Sequence, residues 1–185
     1  LDRAPEVKTI RRKLGELAAH RRGAEVQAAL AIAHAHARPD ALGFLHIDGH
    51  TLVYTGKKDL PKMHVGRLHL ATHATSETWV ADADGDPILV IGGKPGASLA
   101  GELVDAIPDL RSFLGPRRTA TVIFDRGGWS PVCFQALIDA GLHVLTYRKA
   151  PYDQLPENAF RTITWTGPDG KRYRYRLADQ SLDLP

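Results

Sequence analysis

Asp48, in the segment LGFLHIDGHTLVY, and Asp125, at the end of TATVIFD, are the residues of this sequence best placed to do chemistry. Both lie in or at the end of short apolar, β-branched runs, so the carboxylates would be carried on strands rather than on loops. They are 77 residues apart in the chain, from 48 to 125. If the fold sets their strands side by side, two hard oxygen ligands meet at one edge of a sheet, a donor set suited to Mg²⁺ or Mn²⁺. Two such ions, about 3.5 to 4 Å apart, can activate an attacking hydroxyl and stabilise the leaving oxygen in an in-line phosphodiester displacement. Plainer roles are open to both residues. Asp48 before Gly49 can mark a turn or bulge, and Asp125 can cap the following helix or pair with Arg126.

Other residues near these two could touch a polyanion. His50 lies two positions from Asp48, on the same strand face, where it could orient a phosphate or a carboxylate or simply occupy the surface. Gly127 and Gly128 before a helix could let backbone amides approach a phosphate, although their spacing matches no phosphate-loop fingerprint and suits a tight turn. Trp129 can stack on a nucleobase or pack beside the core. Arg148 and Lys149, after a later strand, can contact DNA backbone or remain solvated. Asp82, Asp84 and Asp86 alternate around Gly85 without the remaining spacing and terminal Glu of a calcium loop, and read as a solvated hairpin turn. His34, His36, His46, His64, His69 and His73 come with no Cys pairs or HExxH helix and suggest no zinc site.

The elements that must position these groups follow from periodicity. Val7, Ile10, Leu14 and Leu17 fall at helical spacing with Arg11, Arg12 and Lys13 between them, predicting an amphipathic helix that Gly23 interrupts. Residues 24–37 are alanine-rich and helix-forming, and Pro39 with Asp40 ends them. From Leu42 three antiparallel strands are expected: LGFLHIDGHTLVY, HVGRLHLATHATSETWVADA and PILVIGG, with turns at Gly56 to Asp59 and at Asp84-Gly85. A helix from about Ser98 to Leu114 follows, with Ser98 as N-cap and Pro108 a point where it could kink or split. TATVIFD then reads as a buried strand, PVCFQALIDAG as a helix opened by Ser130-Pro131 and closed by Gly141, and LHVLTYR as another strand. The order β-β-β-α-β-α-β is that of an α/β, RNase H-like mixed sheet, in which the first and fourth strands are neighbours. An N-terminal helical segment (1–40) precedes this core (41–150). Residues 151–185 begin a β-rich insertion, a hairpin of RTITWT and KRYRYRLAD with basic residues, Arg172 and Arg174 among them, on alternate positions.

Composition narrows the class. A chain of 185 residues, 43% hydrophobic, can bury one full core. The net charge is +3 with a pI of about 9.1, a mild basic excess. It concentrates at two ends: Arg3, Lys8, Arg11, Arg12, Lys13, Arg21 and Arg22 stand against three acids in residues 1–23, and five basic residues stand against Asp169 in 161–176. One cysteine, Cys133, forms no internal disulfide, and no run approaches the roughly 18 to 20 apolar residues of a membrane span, so a cytoplasmic protein is expected. Leu1 is not an initiator methionine and Pro185 follows a strand-like segment, so a piece of a longer polypeptide is expected.

HIDGHTLVYTGKKDLPK, TWVADADGDPILVI and VIFDRGGWSPVCFQALIDAGLHVLTYRKAP together resemble the catalytic core of bacterial insertion-sequence DDE transposases, over most of residues 1–178, with FDRGGWSP the most specific element. The resemblance implies that Asp48 and Asp125 are ligands of a two-metal Mg²⁺ or Mn²⁺ site. It implies a third acid, a Glu, on a helix after the β-rich insertion, which this chain would lack and without which it would be inactive. DNA, both transposon ends and target, is the implied partner. A nucleoid-associated location and a homodimer on paired ends are the accompanying expectations, though no residue marks a dimer surface. Two alternatives stand beside it. One is a self-contained RNase H-type nuclease in which Glu102, 23 residues before Asp125, supplies the third carboxylate. The other is a basic DNA-binding module whose acids are structural.

Overall fold

The computed structural model describes residues 4–57, 59–93, 97–151 and 153–181; Arg3, Lys58 and the chain ends Leu1 and Pro185 lie outside the described residues. The chain divides into two compact units, 1–147 and 148–185.

The first unit is built on a mixed sheet whose central strand, β1 (Phe44–Val53), carries Asp48. On one side β1 pairs antiparallel with β3 (Leu70–Ala81), which pairs antiparallel with β4 (Pro87–Gly93). On the other it pairs parallel with β5 (Thr121–Phe124), which pairs parallel with β6 (His143–Thr146). The order β4-β3-β1-β5-β6 is that of the RNase H-like fold, and the strand after the first helix lies beside the first strand as the pattern predicts. Period-two alternation sets the faces: Leu45 and Ile47 of β1, Val80 of β3, and Val122 and Phe124 of β5 point to one side and are buried. The helices α2 (Gly23–Ala37), α3 (Leu99–Leu114) and α4 (Pro131–Asp139) pack against each other and against strands β4 and β6 around this core, which also takes in Leu103, Leu110, Leu137 and Leu142. Each such leucine contributes about 1.5 to 3 kcal/mol by leaving water. The other face carries Phe44, Trp79 and Leu145, which remain 49%, 39% and 52% exposed.

Several expectations change in detail. The run 64–83 is not one strand. β2 (Lys62–Val65) pairs with the start of β3 through a 3₁₀ turn at Gly66–Leu68, and His69 reverses the chain at φ 52, in the left-handed region. An unbroken apolar pattern hides such a turn because Leu68 and Leu70 keep it hydrophobic. The break after α1 (Val7–Ala19) is made by Arg21 at φ 54 and not by Gly23, which opens α2. Within the helical segment 1–40, α2 packs on the core: Ala31 and Ala35 are buried in it, and the Gln27 carboxamide oxygen accepts the Val90 amide at 3.0 Å. By contrast α1 buries no residue, and Val7, Ile10 and Leu14 remain exposed. β6 ends at Thr146, short of Tyr147 and Arg148.

Pro108 neither splits α3 in two nor ends it: the helix continues to Leu114. A proline inside a helix costs roughly 3 kcal/mol, and the burial of Leu103, Ala106, Leu110, Phe113 and Leu114 on one side of the same helix offsets that. Ser98 caps α3 as its sequence predicts, its hydroxyl accepting the Gly101 amide at 3.2 Å. Ser98→Ala is expected to lower stability by about 1 kcal/mol in urea unfolding, the usual contribution of a serine N-cap.

The second unit contains the predicted hairpin, β7 (Arg161–Thr166) and β8 (Arg172–Leu177). Its Gly167-Pro168-Asp169-Gly170 turn is closed by the Gly167 amide donating to the Lys171 carbonyl at 2.9 Å, with Gly170 at φ 75. The pairs Trp165 with Tyr173 and Ile163 with Tyr175 line one face, while Thr166 with Arg172, Thr164 with Arg174 and Thr162 with Arg176 line the other.

Candidate active site on the open face of the sheet

Parallel pairing fixes where the two aspartates stand. β1 and β5 are matched Phe44 with Thr121, Leu45 with Val122 and His46 with Ile123. Asp48 lies two residues beyond the last of these pairs along β1, and Asp125 is the residue that follows the last of β5. Neighbouring strands run about 4.8 Å apart, so the strand that carries Asp48 and the strand that ends before Asp125 are adjacent, and both residues are exposed.

Asp125 caps a short turn and not the following helix. Its Oδ1 accepts the Gly127 amide at 2.7 Å and caps a 3₁₀ turn over Arg126–Gly128. Its backbone carbonyl accepts the Thr146 hydroxyl at 3.0 Å, tying the end of β5 to β6. Helix α4 is capped by Ser130, whose hydroxyl accepts the Cys133 amide at 3.4 Å. Oδ2 of Asp125 has no hydrogen-bond partner among the described residues, so one oxygen orients the carboxylate and the other keeps its lone pairs for a ligand. Gly128 is required because a β-carbon there would run into Phe124 and Leu103. The double glycine therefore makes a tight turn against the core.

On β1, Asp48 faces Trp79 across the antiparallel pair, and His50 faces Glu77. Asp48, His50, Leu52, Glu77 and Trp79 line one open groove of about 540 Å³. The Trp79 indole N–H donates to Glu77 Oε2 at 3.2 Å. Glu77 and Trp79 were not among the residues singled out from the sequence. A signal for them existed, because the alternation in TSETWVA puts both on the face opposite Val80, where Trp79 is left exposed.

Glu102 is placed on the other side of the sheet. It is 9% exposed, and its Oε2 accepts the hydroxyl of Thr78, a buried residue on the face of β3 opposite to Trp79 and Glu77. It therefore does not join Asp48 and Asp125. Trp129 sits edge-on against Phe134, ring centroids 5.2 Å apart, and packs on the core. The acidic turn is not wholly solvated: Asp82 is fully buried. Its Oδ2 meets His34 Nε2 at 2.9 Å and the Arg38 guanidinium at 3.3 Å, while its Oδ1 accepts the amides of Asp84 and Asp86 at 3.0 and 2.9 Å. Arg38 also pairs with Asp84 and Asp86. The second unit carries the remaining candidates. Arg148 donates to Gln180 at 2.7 Å, Lys149 is exposed, and Arg172 and Arg174 stand exposed beside Thr166 and Thr164.

Two exposed carboxylates on or just beyond adjacent strands, one with an oxygen left over, are hard donors of the kind a divalent cation takes. No three His, Cys, Asp or Glu side chains among the described residues converge to enclose one. No helix among those residues is long and apolar enough to cross a membrane.

A family model described as "Transposase protein" matches residues 1–183. No curated protein matches the chain by sequence. Among solved structures, the chain is similar to the Mos1 mariner paired-end complex with Mn (14% identity, TM-score 0.39, 65% of this chain and 40% of that one). It is also similar to the piggyBac transposase synaptic complex with hairpin DNA (12%, 0.45, 77% and 34%) and to the catalytic domain of Mos1 mariner transposase (12%, 0.41, 65% and 57%). The chain thus spans between 34% and 57% of the lengths of these three.

Proposed function

The chain belongs to this family of transposase proteins, and from that premise we propose that it is the metal-dependent catalytic part of a DDE-type DNA transposase of a bacterial insertion sequence, breaking and joining phosphodiester bonds at transposon ends in the nucleoid. The observation that supports this best is the parallel pairing of β1 with β5, which sets the strand that carries Asp48 beside the strand that ends just before Asp125. These two carboxylates would hold Mg²⁺ or Mn²⁺, whose chemistry when bound is to polarise a phosphoryl oxygen and make a coordinated hydroxyl nucleophilic at neutral pH. Asp125 is pre-oriented by the Gly127 amide, which lowers the cost of fixing it during reaction. His50, on the same face two residues from Asp48, donates to a phosphate oxygen. Glu102 belongs to the core side, and the third acid is the Glu that the transposase resemblance puts on a helix after the β-rich insertion, so a chain holding the pair alone binds metal without cleaving.

Arg172 and Arg174 bind DNA phosphates, with the threonine hydroxyls beside them as further donors. Each Arg→Ala change is expected to weaken duplex binding evenly across sequences and to reduce the slope of log affinity against log salt by about 1. Fluorescence anisotropy over a salt series measures it, and a sequence-dependent loss would point to base contacts instead.

The central test is Mn²⁺ binding, by electron paramagnetic resonance in solution and anomalous scattering in crystals. An ion between Asp48 and Asp125 is the expected result. DNA binding without metal, indifferent to both aspartates, would replace the proposal with a non-catalytic DNA-binding module.

A further inference from the structure

The groove beside Asp48 has a composition that phosphate chemistry does not account for. Its apolar lining is Trp79 and Leu52, and its polar groups are His50, Glu77 and Asp48 itself, so a second carboxylate stands there besides the one assigned to metal. A carboxylate repels a phosphate, so Glu77 suits a ligand that offers hydrogen-bond donors. One of its oxygens takes the Trp79 indole N–H, and this bond fixes both side chains. The indole N–H is thereby occupied, the ring lines the groove and is 39% exposed, and Oε1 of Glu77 has no hydrogen-bond partner among the described residues.

Resting on the transposase reading of Asp48 and Asp125, we propose that this groove receives an unpaired nucleobase next to the phosphate held at the aspartates, stacked on Trp79 and read by Glu77. In paired, stacked DNA both base faces and the pairing edge are occupied, so only an unpaired base can offer them to the groove. Trp79 stands directly opposite Asp48 across β1 and β3, so a base on the indole belongs to a nucleotide at the carboxylate pair. A carboxylate accepts from an exocyclic amino group, which cytosine has and thymine lacks, so the groove favours an amino-bearing base. Stacking alone is nearly indifferent to base identity. Base preference therefore belongs to Glu77 and affinity to Trp79.

The chain contains three tryptophans, so the full chain with Trp129→Phe and Trp165→Phe reports on Trp79 alone. Short single-stranded oligodeoxycytidylate is expected to quench its emission. Oligothymidylate should bind this site about tenfold more weakly, and an abasic sugar-phosphate oligomer should give no quenching. Glu77→Gln presents both a donor and an acceptor, and should erase the preference for cytosine while keeping the quenching. In the otherwise unchanged chain, Trp79→Leu should lose about tenfold in oligodeoxycytidylate affinity and Trp79→Phe should restore most of it. Circular dichroism confirms that each variant is folded. Quenching by the abasic oligomer equal to that by oligodeoxycytidylate overturns the proposal, as does a cytosine preference that survives Glu77→Gln. Mn²⁺ binding measured on the same protein separates the premise from the inference. Metal bound without base-dependent quenching overturns the base site alone; base-dependent quenching without metal supports the base site and overturns the catalytic reading.

Discussion

Asp125→Asn is expected to leave the chain folded and to weaken Mn²⁺ binding by more than about 100-fold, since removing even an outer-shell partner of a metal ligand costs about 10 to 100-fold. The two consequences separate because the two oxygens of Asp125 have different partners. Asparagine keeps a carbonyl oxygen for the Gly127 amide, so the 3₁₀ turn and the approach to α4 survive. What it loses is the negative charge that a hard cation requires. Asp48→Asn should produce the same loss of metal with still less structural effect, because Asp48 is an exposed strand residue whose partner strands are held by backbone hydrogen bonds. Electron paramagnetic resonance titration of the two variants, with urea unfolding alongside, reads both quantities. Unchanged Mn²⁺ affinity in both would return the aspartates to the plain cap and strand positions that each sequence segment also allows.

Asp82→Ala should cost about 3 kcal/mol of stability, because it leaves the amides of Asp84 and Asp86 without their acceptor and Arg38 and His34 without their buried counter-charge. Asp82→Asn keeps an acceptor for the two amides and should cost about half as much. Burial pushes the Asp82 carboxyl up, but hydrogen bonds from His34 and from the Asp84 amide, with the charge of Arg38, outweigh it and hold the group below its ordinary 3.8. The carboxyl is therefore more acidic folded than unfolded. Its contribution is present above the unfolded value and lost as the pH falls from about 3.8 through the lower folded value. Urea midpoints measured from pH 5 downward should fall less steeply in Asp82→Asn than in the parent chain.

Local chemistry made the second half of the first unit readable. A β-branched run ending in Asp125, a Ser130-Pro131 start and a left-handed Gly141 each act within a few residues, and together they place β5, α4 and β6. The strand order followed from the element order. What the sequence concealed is long-range or depends on an unusual backbone state. Asp82 looks like a solvated turn residue until His34 and Arg38, more than 40 positions earlier, close over it. Arg21 and His69 take left-handed turns that no residue preference signals, while Gly23 nearby looks the better candidate. Glu77 and Trp79 needed the register of β3 against β1, which alternation alone does not supply. Glu102 illustrates the reverse case: a spacing compatible with catalysis that α3 turns toward the core.

Gln27 deserves a different reading from that of a packing residue. Among the described strands β4 pairs with β3 alone, so its outer side is a row of backbone groups that another chain could extend into a longer sheet. By taking the Val90 amide, the Gln27 side chain occupies one of those groups from a neighbouring helix. The same contact that fastens α2 to the sheet thus works as a guard against edge-to-edge self-association, and a chain that lost it would be expected to suffer in solubility before it suffered in fold.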